Sequence, residues 1–422
     1  MTVRWSSPAA LVAVLAILGF AARASADPVT ERISVNSAGV QANAIGEWWY
    51  LAPQVALSYD GALAAFSSDA TNLVGRDRNR ASDVFVRDRV SGVTERVSLT
   101  ASGREANGLS FGPAMSSDGR FVAFLSEAGN LPGVARGERG RFVFLRDRQA
   151  RTTVRIDVSS AGQGGRGNAW GPPVISADGR YVAFTSDAPN LAPGDGDDNA
   201  DAFVRDVLMG ATTGISLGRD VSEYDFSVVA AISRDGRFVA LVSESPLAPG
   251  AVTDTSNVFL HDTQQSTTTW IAPSGVDVFD ASRGAVSDDG SAVAFEQRSS
   301  GAFGVVRWER ATGTVTCVSC WDGKGRATWD TLSGMSADGR RIAYVREGHV
   351  GRSWTRSVYL RDRTAGATER LSVRPDGVPA KRPSWIGGLS PDGRVAAFAS
   401  DASNLVRRDT NRRTDLFVRG PL

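Results

Sequence analysis

Ser116-Ser117-Asp118-Gly119-Arg120-Phe121-Val122-Ala123-Phe124 is one copy of a pattern that returns throughout the chain. Its kernel, Ser-x-Asp-Gly, begins at Ser58, Ser116, Ser176, Ser233, Ser287, Ser336 and Ser390. The matching glycines are Gly61, Gly119, Gly179, Gly236, Gly290, Gly339 and Gly393. Successive starts lie 58, 60, 57, 54, 49 and 54 residues apart. Recurrence in one register at such a period marks a repeat architecture.

Each repeat holds four runs of strand character. A short run such as Pro173-Val174-Ile175 precedes the kernel, and one like Phe121-Val122-Ala123-Phe124 follows it. A loop leads to a third run, such as Asp83-Val84-Phe85-Val86-Arg87-Asp88, and a Gly-containing turn to a fourth, Thr94-Glu95-Arg96-Val97-Ser98-Leu99. The runs are rich in Val, Phe and Thr with partial period-two alternation. Asp-Gly between the first two signals a tight hairpin, because Gly accepts positive φ. Four antiparallel strands repeated seven times predict an all-β, seven-bladed β-propeller. Two residues before each motif serine stand Ala56, Ala114, Val174, Ala231, Ala285, Gly334 and Gly388, all small. That file is what inner strands crowded around an axis require.

The last repeat stops after its third run, Asp415-Leu416-Phe417-Val418-Arg419. Its missing fourth run stands near the other end, at residues 30–35, and matches Thr368-Glu369-Arg370-Leu371-Ser372-Val373. Residues 27–43 are therefore predicted to supply the outer strand of the last blade, which removes an open sheet edge.

With these motifs in hand, the chain resembles the repeats of TolB-like and tricorn-like (WD40-like) propellers, most openly in Ser390-Pro391-Asp392-Gly393-Arg394. The resemblance spans nearly all of residues 27–422 and implies the fold. TolB's extra N-terminal α/β domain and the α/β-hydrolase domain of prolyl oligopeptidases have no counterpart in the pattern. The resemblance implies no catalytic residue.

Residues 1–26 read as a secretory leader. Arg4 is the positive start, residues 9–22 are an apolar run broken only by Gly19, and Ala24-Ser25-Ala26 is a small-residue cleavage site. The mature chain is expected to begin at Asp27 and to lie in the periplasm or outside the cell. The run is shorter than the roughly 20 residues a spanning helix needs, and no later segment is apolar enough to span. Net charge is +1, which favours neither nucleic acid nor an anionic membrane as partner. A monomer is expected.

Four groups of residues remain as sites. Asp195, Asp197, Asn199 and Asp201 alternate in one second-to-third-strand loop, an oxygen-rich pattern suited to Ca²⁺. Calcium is thus the one ion considered, and no cofactor is required. Related runs, Asp77-Asn79-Asp83 and Asp409-Asn411-Asp415, recur in two other repeats; the competing reading is that they shape loops. Cys317 and Cys320 are the only cysteines, and in an exported chain they are expected to form a disulfide. Because a straight strand would point them apart, a bulge is needed there. Trp48, Trp49, Tyr50, Trp170, Trp329 and Trp385 fall in blade-to-blade connections and Trp354 in the second-to-third-strand loop of the sixth repeat; all are expected on one face, as a candidate ligand surface. No catalytic residue is assigned: Gly108-Leu109-Ser110-Phe111-Gly112 matches a nucleophile elbow in letters but precedes no helix. The sequence points to a non-catalytic module that binds protein or cell-envelope glycan. The alternative is an exported carbohydrate-active hydrolase or lyase with acidic residues at the channel mouth.

Overall fold

A computed structural model of the chain describes residues 28–45, 55–217, 226–251, 256–271, 284–299, 302–319, 328–350 and 353–422. It is all β, with seven four-stranded antiparallel blades in a ring. The inner strands, in blade order, are Val55–Leu57, Ser110–Met115, Ala169–Ile175, Ser227–Ile232, Gly284–Val286, Trp329–Met335 and Ser384–Leu389. Blades 5 and 6 also meet through one parallel bridge, Phe303 to Trp329. Two faces result. Tight turns, first-to-second and third-to-fourth strand, make the turn face. The second-to-third-strand loops and the blade-to-blade connections make the loop face.

The Ser-x-Asp-Gly kernel is a closed polar turn. In blade 2, Ser116 Oγ donates to Asp118 Oδ1 at 2.7 Å and accepts the Phe121 N–H at 2.9 Å. Asp118 Oδ1 also accepts the Arg120 N–H at 2.9 Å, and the Gly119 N–H returns to the Ser116 carbonyl. Gly119 sits at φ +68°, and the other six glycines between +65° and +76°. Glycine is needed for a second reason. A Cβ on Gly236 would lie 2.2 Å from Tyr181 Cδ2 of the preceding blade, and one on Gly179 would lie 2.3 Å from Phe121 Cδ2. The first side chain of each second strand therefore packs beneath the next blade's turn.

The turns are also stitched to one another. Tyr59 N–H donates to the Ser117 carbonyl, Ser117 to Ala177, and Ala177 to Arg234, at 2.8–2.9 Å. Asp288 donates to Ala337 and Ala337 to Pro391. Pro391 has no N–H, and Asp392 closes the circle onto the Tyr59 carbonyl at 3.1 Å. Between blades 4 and 5 side chains do the joining: Arg234 Nη1 lies 3.6 Å from Asp288 Oδ2.

Each blade's core is buried between sheets. Stacked rings join second and third strands, as in Phe124–Phe144 and Phe398–Phe417, with centroids 5.8 and 5.7 Å apart. An outer clasp adds to this. Thr94, Thr153, Thr212 and Thr30 each donate Oγ1 to a carbonyl of the connection leaving the preceding blade: Val35, Leu99, Val158 and Val373. An arginine of the third strand braces the threonine, as Arg87 does Thr94.

The predicted closure is present. Val29–Arg32 pairs antiparallel with Asp415–Gly420, Glu31 facing Val418. The strand ends earlier than the sequence run suggested, because Ser34 turns its Oγ into the Asp415 carboxylate at 2.7 Å. Deleting residues 27–36 removes the Ile33 anchor, worth ~1.5–3 kcal/mol, and the whole pairing, and so should lower the melting temperature sharply and promote aggregation. Ser34→Ala alone should cost ~1–3 kcal/mol, since the buried Asp415 carboxylate loses one of its donors and the Leu416 N–H its side-chain acceptor. Unchanged melting of the deletion variant would contradict the clasp. A second pair tests the turn. Gly103 sits at φ +74° with nothing within 4 Å of an added Cβ, so Gly103→Ala should cost only ~1–2 kcal/mol of left-handed strain. Gly236→Ala must also displace Tyr181, and denaturant midpoints should rank it clearly worse.

Candidate functional site

The inner strands enclose an axial cavity of about 350 Å³. Ala56, Ala114, Val174, Ala231, Ala285, Gly334 and Gly388 all line it, as the sequence predicted, together with Pro113, Pro172 and Pro173. Its charged lining residues are Arg234 and Asp288, at the turn-face end and paired with each other. Arg234 also lies over the Tyr59 ring, its Cζ 4.4 Å from the centroid. Tyr59 belongs to blade 1 and Arg234 to blade 4, so this contact crosses the axis and narrows the turn-face opening. Among the described residues the wall is otherwise apolar or neutral.

On the loop face, the three related acidic loops differ in what fills them. In blade 1, Arg96 Nη1 lies 2.8 Å from Asp83, 2.6 Å from Glu105 and 3.7 Å from Asp77. In blade 7, Arg32 lies 3.4 Å from Asp409 and 3.5 Å from Asp415. A guanidinium thus occupies the centre of both loops, although in blade 1 Asp77, Asp83 and Glu105 also bring ligand oxygens within 4.8 Å of one another. Burial pushes Asp77 and Asp415 up to about 6 in these surroundings. Asn79 and Asn411 serve the loop itself, each donating to the aspartate four residues on.

Blade 3 departs from this plan. Arg96 faces Phe85 in its ladder and Arg32 faces Phe417; the residue facing Phe203 at the same place is Gly214. Ligand oxygens of Asp195, Asp197 and Asp201 all lie within 4.8 Å of one another. Burial, reinforced by Asp201 and Asp197, pushes Asp195 up to about 6, against the pull of the Leu191 N–H. Asn199 enters through its backbone N–H, which donates to Asp197 Oδ1 at 2.8 Å. Ser216 Oγ donates to Asp201 Oδ1 at 2.6 Å. The group has the donor chemistry of a hard divalent cation.

The aromatic residues that are described fall in blades 3, 6 and 7. Trp170 in blade 3 is 46% exposed, donates its indole N–H to Asp187 at 2.9 Å and has Arg141 5.8 Å from its ring. Trp329 and Trp354 in blade 6 are 48% and 47% exposed and meet edge to face at 6.1 Å. Trp354 lies in the long hairpin strand Ser353–Asp362, where the sequence suggested a loop. Trp385 is half-buried in blade 7, with Arg356 5.9 Å over it. Trp385 and Trp170 occupy one register position, facing Ala399 and Thr185. Trp48, Trp49 and Tyr50 lie outside the described residues.

Three other residues now have places. Cys317 stands in the outer strand Thr314–Ser319, which slips register between Cys317 and Ser319. The bulge that a nearby pairing needs is thus there, while Cys320 lies outside the described residues. His261 replaces the third-strand arginine, and its Nδ1 meets Thr268 at 2.9 Å; burial lowers its pKa. Ser110 is fully buried against Ser126 at 2.9 Å. The repeated Thr-x-Arg of the outer strands, broken at Gly214, was the sequence signal that separates blade 3 from blades 1 and 7.

No family model and no curated protein matches the chain. Among solved structures, it is similar to an oligogalacturonate lyase in complex with manganese, at 13% identity and TM-score 0.56 over 93% of each chain. It is also similar to a putative TolB from Agrobacterium tumefaciens, at 14% identity and TM-score 0.43 over 78% of this chain and 93% of that one. The WD40 repeats of RRP9 match at 9% identity and TM-score 0.49 over 94% and 99%. What is shared at these identities is the fold. By its repeats and its blade topology, the chain is a seven-bladed β-propeller.

Proposed function

We propose that the protein is an exported, non-catalytic propeller that binds protein or glycan at the cell envelope through its loop face. The observation that carries this reading is the exposed tryptophan set, Trp170, Trp329 and Trp354, each left about half open on that face. Large aromatic side chains with arginine beside them are typical binding anchors, and sugar rings or partner side chains can stack on them. Export rests on Arg4, the apolar run at 9–22 and the cleavage site ending at Ala26, and the Cys317–Cys320 bond belongs to the same reading.

A second reading is favoured by one finding, the full-length likeness to an oligogalacturonate lyase. It makes this protein a carbohydrate-active hydrolase or lyase with acidic residues at the channel mouth. Glycoside cleavage uses two carboxyl groups across the bond. Among the described residues lining the cavity, Asp288 is the one carboxylate, and Arg234 holds it. The binding reading is therefore preferred.

Binding should be measured with purified mature protein against envelope glycans and extracts. Trp354→Ala and Trp329→Ala are each expected to weaken it roughly tenfold, since truncating a central aromatic anchor costs ~1–2 kcal/mol or more. Full affinity in both variants, or release of shortened glycan by the wild type, would overturn the proposal. The Asp195 loop is assigned calcium within the same reading. Millimolar calcium should raise the melting temperature, because a ligand of the native state stabilises it by mass action. Chelator should reverse the rise, and Asp195→Ala with Asp197→Ala should abolish it. No calcium response in the wild type would leave the loop-shaping reading alone.

A further inference from the structure

Net charge is only +1, yet the loop face is not evenly charged. The second-to-third-strand loop of blade 7 carries Arg407, Arg408, Arg412 and Arg413, all exposed. The corresponding loop of blade 1 carries Arg76, Arg78 and Arg80, also exposed. These loops are neighbours, joined by the uncharged stretch 36–45 between them. Gln41 Oε1 accepts the Asn411 N–H at 3.0 Å and its amide reaches the Arg408 carbonyl. Two residues on, Asn43 exchanges hydrogen bonds with Thr71 and Asn72 of blade 1. On the other flank, exposed Lys381 and Arg382 sit on the connection into blade 7, where the Lys381 N–H donates to Asn404 at 2.9 Å. The basic groups thus form one arc, from residue 381 through 413 to 80. It begins beside Trp385 and adjoins the blade 6 tryptophans.

The aspartates at the loop tips do not cancel the arc. Asp77 and Asp409 are turned inward onto Arg96 and Arg32, so the tips hide acid and show base, while Asp69 at the start of the blade 1 loop stays exposed. Blade 3 does the reverse, with Asp195, Asp197 and Asp198 across the ring. Four of the arginines also hold conformations that suit glycine: Arg76, Arg80, Arg408 and Arg412 have φ between +54° and +63°. At the place of Arg76 and Arg408, blade 3 has Gly194, at φ +88°. On the turn face Arg151 and Ser266 do likewise, each in a different blade. A side chain kept where glycine is less strained, and repeated in two adjacent loops, is most simply explained by what it meets in solvent.

We infer that this arc over blades 7 and 1 docks an acidic polysaccharide, with arginine forks gripping its carboxylate or sulfate groups and the adjoining tryptophans stacking on its rings. Planar guanidinium groups match such anions two-point to two-point. The inference rests on the loop-face binding reading and names the class of ligand. A glycan is chosen over nucleic acid because the leader reading puts the chain outside the cytoplasm, and double-stranded DNA becomes the competing arm of the test.

The probes are alginate, dextran sulfate, neutral dextran and double-stranded DNA, titrated with the purified mature chain at several salt concentrations. Wild type should bind alginate or dextran sulfate with affinity falling steeply as salt rises, as counterion release requires, and should bind DNA less tightly. The variant R407Q/R408Q/R412Q/R413Q should lose at least about tenfold of that affinity at low salt. Arg76→Gly with Arg408→Gly should also weaken binding, while leaving the melting temperature unchanged or higher. That split separates a ligand contact from a structural role. Undiminished binding by both variants, no binding to either acidic glycan, or tighter binding to DNA would each overturn the inference. If Trp354-dependent binding to an envelope ligand persists in that case, the broader reading stands and only the ligand class fails. If neither tryptophan nor arginine variants change any binding, both fall.

Discussion

The structure depends on one contact made seven times: the glycine of a Ser-x-Asp-Gly turn resting on the second strand of the blade before it. Positive φ holds at all seven, and at six of them an added Cβ would come within 2.2–3.0 Å of a neighbouring side chain. The serine and aspartate satisfy the turn's own polar groups, leaving one N–H and one carbonyl at the variable position to reach sideways. Those sideways bonds make the ring. A propeller's blades are hydrophobic sheets that would pack face to face at many angles. A backbone bond across six of the seven junctions, and an ion pair at the other, holds the inner ends at one spacing and so sets the pitch around the axis.

This explains why the variable position tolerates Tyr59, Ser117, Ala177, Arg234, Asp288, Ala337 and Pro391. Only backbone is used, and even proline is accommodated by moving the donor to Asp392. Where the backbone link gives way, between Arg234 and Asp288, an ion pair stands in, and Arg234 extends to Tyr59 across the opening. The outer threonine clasp adds a second hoop, through blades 6, 7, 1, 2 and 3. The N-terminal strand is part of that hoop as well as of the last sheet, since Thr30 reaches Val373 in blade 6.

The fold was legible in the sequence because its determinants are local and repeated. Ser-x-Asp-Gly, the small inner residues and the displaced outer strand can each be read without knowing any contact. The site was legible only in part. The Asp-rich loops of blades 1, 3 and 7 look alike in letters, and what separates them is a residue one strand away: Arg96, Gly214 or Arg32, facing a phenylalanine in the ladder. Register, not spacing, brings that guanidinium into the loop. The arginine arc was hidden for a related reason. Summed charge near zero conceals a segregation that appears only when Asp77 and Asp409 turn inward and Arg76 and Arg408 turn out. Trp354, expected in a loop, stands in the long strand Ser353–Asp362, because a long hairpin and a loop can carry the same polar composition.

The division of labour between the faces follows from these constraints. Turns that must fit a neighbour at 2–3 Å cannot vary, and the turn face repeats accordingly. The loop face is joined more permissively, by asparagine and glutamine side chains bridging exposed backbone, as Gln41, Asn43 and Asn72 do. Such bridges hold loops side by side without specifying the residues between them. Charge can therefore be distributed freely around that face, basic over blades 7 and 1 and acidic over blade 3, at no cost to the ring beneath. A framework whose stability is settled on one face leaves the other open to carry a ligand, and the conformationally unfavourable arginines stand on the face that is free to hold them.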